Sequence, residues 1–214
     1  MNKKEIVEQF LTTVFDDALI ADLEKMKSVP YPGLDFGIIT LVCSGIELIG
    51  ALHHGAIAKL HSKPKSRQLF EEALEKYFQD RYRSQAIKQA LWGLFRCGLA
   101  HQAFVKPGVA TTRNPEYKHC HLKGVLVEGK QLLFIHPDVF ADDFFQAVKK
   151  FRSSLDDDPQ KIERAYCTIH EIYETVPTID MSSIEQCYLH ISANFTRLPQ
   201  PVWLEKSEVE VREG

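Results

Sequence analysis

"FGIITLVCSGIELIGAL", residues 36–52, decides what kind of fold this chain can have. Its length is about the minimum for a membrane span. Glu47 stands inside it, however, and Ser44, Gly45 and Gly50 dilute it. A carboxylate taken out of water needs a partner or a proton. The stretch therefore reads as the core helix of a globular protein, beginning near Asp35 and running to about Lys59, and no transmembrane segment is expected.

Working outward, the preceding segment has apolar residues at Ile6, Val7, Phe10, Leu11, Val14, Phe15, Ala18 and Leu19. That i, i+3, i+4 spacing predicts an amphipathic helix over residues 3–28, and "VPYPG" (29–33) breaks it. Acidic residues interrupt its apolar positions, so it does not read as a signal peptide. Beyond the core helix, "HSKPKS" (61–66) reads as a loop, and Leu69, Phe70, Ala73, Leu74, Tyr77 and Phe78 set a third helix over 67–82. A fourth starts near Ser84, a suitable N-cap. Four helices with short connections predict an antiparallel four-helix bundle over residues 1–104.

After Phe104 the texture changes. Residues 105–119 are rich in Pro, Gly, Thr and Asn and read as an exposed loop. "CHLKGVLVEGKQLLFIH" (120–136) reads as a β-hairpin around Glu-Gly-Lys. "VFADDFFQAVKKFRSSL" and "PQKIERAYCTIHEIYET" read as two helices divided at "DDDP". The last forty residues give no clear pattern. A lone hairpin is marginal in water, so residues 105–214 are expected to pack on the bundle. The fold class is thus mainly α (α+β).

Composition bounds the function. With 214 residues, 44% hydrophobic and 26% charged, the chain can bury a core without disulfides or a structural metal. Its five cysteines are widely spaced with no CxxC pair, which favours reduced thiols and a cytoplasmic location. A net charge of -3 argues against a generally basic nucleic-acid binder. Yet Lys59–Lys118 holds 12 Lys and Arg against 5 Asp and Glu. Arg81, Arg83, Lys88 and Lys106 in or beside this run are the candidates for contact with a polynucleotide backbone. A solvated face is the ordinary explanation of such a run.

The same region contains "LWGLFRCGLAHQAF" (91–104), an amphipathic helix that ends in a fixed cation, Arg96, and a titratable base, His101. On an ideal helix, positions five apart point about 140° away from each other. Gly98 offers a place for the helix to loosen, and a two-fold dimer could bring the same helix from two chains together. Histidine can move protons near neutral pH, and arginine can hold a phosphate with its planar fork. Glu47 is the third candidate, orienting either residue across the bundle. The structural alternative is an Arg96–Glu47 ion pair, with His101 capping the helix C-terminus.

"FRCGLAH" after an amphipathic approach, in a four-helix context, resembles the HEPN superfamily, whose hallmark is Arg, four to six residues, then His. The resemblance covers roughly residues 33–104. It implies an RNA-binding protein, commonly dimeric, in toxin–antitoxin or other defence systems. In its active form it implies a metal-independent endoribonuclease that leaves a cyclic phosphate, with no cofactor and no metal. The alternative it allows is a non-catalytic dimeric scaffold, and an antitoxin or other protein partner fits either. Two departures stand out: Cys97 follows the arginine where a polar residue is common, and Ala103 stands two after the histidine where a tyrosine is common.

Four further features of the sequence could carry function. "HCH" (119–121), placed on a strand, would put His119 and His121 on one face, but two ligands are too few for zinc. Cys97 beside Arg96 and His101 could be nucleophilic, although a small core cysteine is commoner. His53 and His54 are expected at the solvated end of the core helix, and "FADDFFQAVKKF" offers an apolar face for a dimer.

Overall fold

The computed structural model describes residues 2–55, 63–96 and 107–175, with side chains from Ser66 in the second range and up to Ile172 in the third. The chain is mainly helical with one small sheet. Lys3–Leu11, Thr12–Ile20 and Ala21–Ser28 run on as one helix, α1, whose middle part takes the wider π form. Asn2 opens it with a capping box: its side chain accepts from the Glu5 amide, and the Glu5 side chain accepts from the Asn2 amide.

The core helix is α2, Asp35–His54. Its entry is held by Arg113, whose Nη1 donates to the carbonyls of Val29 and Gly33, both at 3.1 Å. Nη2 donates to the Lys27 carbonyl at 2.7 Å, and Nε to Asp138 at 2.9 Å. One buried guanidinium thus satisfies the backbone of the "VPYPG" break. By length and composition α2 could cross a membrane, but 67% of its most apolar window is buried in the fold. Ile38, Ile39, Val42, Ile46 and Ile49 are fully covered. The glycines that dilute the sequence mark close approaches. A Cβ on Gly45 would lie 2.3 Å from the Phe144 ring, and one on Gly50 would lie 2.2 Å from the Leu69 carbonyl.

Helix α3 spans Lys63–Tyr77, so part of the expected 61–66 loop is helical. Pro64 is tolerated there because the first turn leaves its amides unpaired in any case. A 3₁₀ turn at Asp80–Tyr82 follows. Helix α4 begins at Gln85 after Ser84, although Ser84 makes no side-chain cap bond, and continues through a π segment, Leu91–Arg96.

The expected loop at 105–119 is partly ordered into the fold. Val109–Thr111 forms strand β1, and Pro115–Cys120 forms a 3₁₀ turn capped by Asn114. Strands β2, Gly124–Val127, and β3, Lys130–Ile135, make the expected hairpin. Its two-residue turn, Glu128–Gly129, has positive φ at both positions (49° and 76°), as a hairpin turn matched to strand twist requires. The sheet order is β1-β3-β2, with β1 parallel to β3 and β2 antiparallel. Helices α5, Pro137–Asp156, and α6, Pro159–Thr175, follow. Phe140, Phe144, Phe151 and Leu155 of α5 enter the same core as α2. One compact unit runs to Tyr173.

Candidate functional site

Helix α4 buries Leu91, Trp92 and Phe95, and this fixes where Arg96 emerges. The guanidinium lies over the Trp92 ring, 4.9 Å from its centroid. Trp92 is itself held edge-on by Phe70 at 5.5 Å. Across the core, Glu47 of α2 receives both arms of the fork: Arg96 Nε donates to Oε1, and Nη2 donates to Oε2 at 3.0 Å. The side chains are 25% and 13% exposed. A two-point Arg–carboxylate pair backed by an indole fixes the guanidinium in place and in plane. The structure therefore brings Arg96 and Glu47 together. His101, Lys106 and Cys97 lie outside the described residues.

The other basic candidates among the described residues are paired with carboxylates. Arg81 donates to Asp143, which is buried, and lies 5.6 Å from the Tyr82 ring centroid. Arg83 pairs with Asp80 at 2.8 Å and with Glu75 at 3.8 Å. Lys88 pairs with Glu75 at 2.8 Å and is only 13% exposed. A count along the sequence overstates the positive field, because α2 and α5, outside that run, bring Glu47, Asp138 and Asp143 onto Arg96, Arg113 and Arg81.

Two histidine clusters were not foreseen. His53 is buried, against the expectation of a solvated helix end. Its Nδ1 meets the Tyr77 hydroxyl at 2.7 Å, its Nε2 lies on the Lys76 ammonium, and its carbonyl accepts from Arg164 at 3.0 Å. Burial, with Lys76 and Arg164 beside it, pushes its pKa down to about 4. His54 instead faces Glu72 at 3.5 Å. The reason is packing: α3 and α6 close over the end of α2 and cover His53.

The "HCH" segment lies on no strand. Pro115 and the Asn114 cap turn it into a 3₁₀ helix, so His119 stays exposed and His121 is buried. His121 Nδ1 accepts from the His136 backbone amide at 3.1 Å. Its proton therefore sits on Nε2, which donates to the Tyr82 hydroxyl at 2.8 Å. Tyr82 in turn donates to Asp143 at 2.6 Å. Burial and the Arg81 charge lower the His121 pKa to about 3, and burial with Asp143 raises that of Tyr82 well above its ordinary value. This relay ties the 79–83 turn, the sheet and α5 together. Helical spacing marks Tyr82 as core, but nothing local in sequence announces its hydroxyl's partners 39 and 61 residues away.

Chemically, Glu47 and Trp92 fix the Arg96 guanidinium in place and offset its charge, while burial holds His53 and His121 neutral as structural hydrogen-bonding groups. No protein-family model, curated protein or solved structure matches this chain.

Proposed function

We propose that this chain is a HEPN-like RNA-binding protein with an antiparallel helical-bundle core, and that Arg96, Glu47 and His101 form a metal-independent RNA-cleaving site. The observation that carries the reading is the Arg96–Glu47 pair. An arginine held at two points by a carboxylate and backed by Trp92 is preorganised to receive a phosphate. In this reading Glu47 orients Arg96, and Arg96 holds the scissile phosphate. His101 removes the ribose 2′-hydroxyl proton and returns one to the departing 5′-oxygen. The 2′-oxygen attacks phosphorus and a cyclic phosphate results.

The π winding over Leu91–Arg96 supports the reading, since such segments recur at functional sites. The proposal requires the two side chains to converge, within one chain or across a homodimer. It assigns no cofactor or metal to the step, and an antitoxin-like protein would be the natural regulator of such an activity.

A second reading is favoured by the same geometry: a non-catalytic dimeric interaction protein. Glu47 neutralises Arg96, and Arg83 and Lys88 are matched by Glu75. Structured RNA incubated in EDTA with wild type and His101→Ala separates the readings. Cleavage by wild type with at least a hundredfold loss in the variant supports the enzyme. Equal cutting by both, or none by either, removes it. Salt-sensitive RNA binding without cutting then leaves a binding module.

A further inference from the structure

Cys120 ends the 3₁₀ turn that links β1 to the hairpin, and its Sγ lies 3.3 Å from His119 Nε2. The same residue lines a cleft of about 390 Å³ beside the sheet, walled by Ala110, Tyr117, Val125, Leu126 and Phe134. That volume is in the usual range for small ligands, roughly 300–1,000 Å³. The rim is apolar yet uncovered among the described residues: Leu126 is 76% exposed, Val127 44% and Tyr117 46%. Aliphatic surface left in water beside a thiol with its own proton acceptor is a pairing that neither feature requires of the other. Cys43 is buried, and Cys167 is exposed next to the Glu163 carboxylate.

We propose that Cys120 is a covalent attachment site for acyl groups delivered as thioesters, with His119 as proton acceptor and the cleft as the seat of the acyl chain. The Nδ1–H tautomer of His119 leaves Nε2 free to take the thiol proton. Sγ attacks the thioester carbonyl, the new carbon–sulfur bond forms, and the tetrahedral intermediate expels the carrier thiolate. That thiolate leaves with the proton held by His119. The products are S-acyl Cys120 and a free thiol, with no change in oxidation state. Val125, Leu126 and Phe134 favour an acyl chain over a polar group, because each methylene removed from water contributes up to about a fourfold gain in affinity.

The test uses the full chain, acetyl- and octanoyl-thioesters of coenzyme A, and peptide-level mass spectrometry of every cysteine. Expected is an octanoyl adduct on Cys120, released by hydroxylamine, formed at least tenfold faster than on Cys167. The Cys120-to-Cys167 ratio should fall several-fold with the acetyl donor. His119→Ala should slow Cys120 about tenfold while leaving Cys167, the internal control for folding, unchanged. Leu126→Asp should remove the chain-length preference, and its Cys167 rate likewise reports whether the fold survives. Equal labelling of Cys120 and Cys167, or a ratio indifferent to chain length, overturns the proposal. So does reversible binding of the octanoyl donor with no adduct.

Discussion

Replacing Tyr82 by Phe removes one oxygen and strands two buried partners. His121 Nε2–H would lose its acceptor, and Asp143 one of its donors. Unsatisfied buried groups cost about 1–3 kcal/mol, so Tyr82→Phe should lower unfolding stability by roughly that amount in urea titration, although the ring is retained. Glu47→Ala should cost about 2–4 kcal/mol, because it leaves the Arg96 cation half-buried beside Trp92. A double-mutant cycle with Arg96→Met should show coupling above about 1 kcal/mol; additivity would mean the pair is ornamental. This pair was legible in advance as one alternative, since a carboxylate inside an apolar helix needs a partner or a proton and Arg96 was a candidate cation. His53 and His121 were not. Their burial depends on partners 15 to 111 residues away along the chain, which no local pattern encodes.

At the scale of elements, glycines in helices have opposite meanings according to what they face. Gly50 lets α2 and α3 approach until a Cβ would lie 2.2 Å from the Leu69 carbonyl. Backbone cannot yield as a side-chain tip can, so Gly50→Ala should destabilise by about 1–3 kcal/mol or more. Gly93, in the π segment of α4, would bring its Cβ within 4 Å of no other atom among the described residues. Gly93→Ala should be neutral or stabilise by up to about 1 kcal/mol through backbone entropy. Thermal melts of both variants read the contrast, and equal effects would refute the packing account. Helix periods and the Glu128–Gly129 turn were readable because they are local. The early start of α3 and the short β1 were not. Pro64 masked a first helical turn, and β1 exists only because β3 offers it an edge.

For the whole molecule, acid should weaken the fold before its carboxylates titrate. His53 and His121 are neutral when folded, with pKa values of about 4 and about 3 against an unfolded value of 6.5. Below about pH 6.5 the unfolded chain binds the extra protons, so stability present above that pH is lost as pH falls. The slope should approach about 1.4 kcal/mol per pH unit for each histidine. Urea midpoints measured from pH 7 to pH 4 check this, and His53→Gln should flatten the curve. A wild-type midpoint that does not move would show that these rings are not held neutral. The proposed cleavage site assigns the proton transfers to His101, which lies outside the described residues.

That assignment is tested most directly by the fate of a single 2′-hydroxyl. An RNA cut by the wild-type chain in EDTA is resynthesised with one 2′-deoxynucleotide at the cleaved position. A terminal cyclic phosphate is expected from the all-ribose strand, and no cut at that position in the substituted one. Cutting that survives the missing hydroxyl, or that proceeds at the wild-type rate with Arg96→Ala, would contradict the assignment.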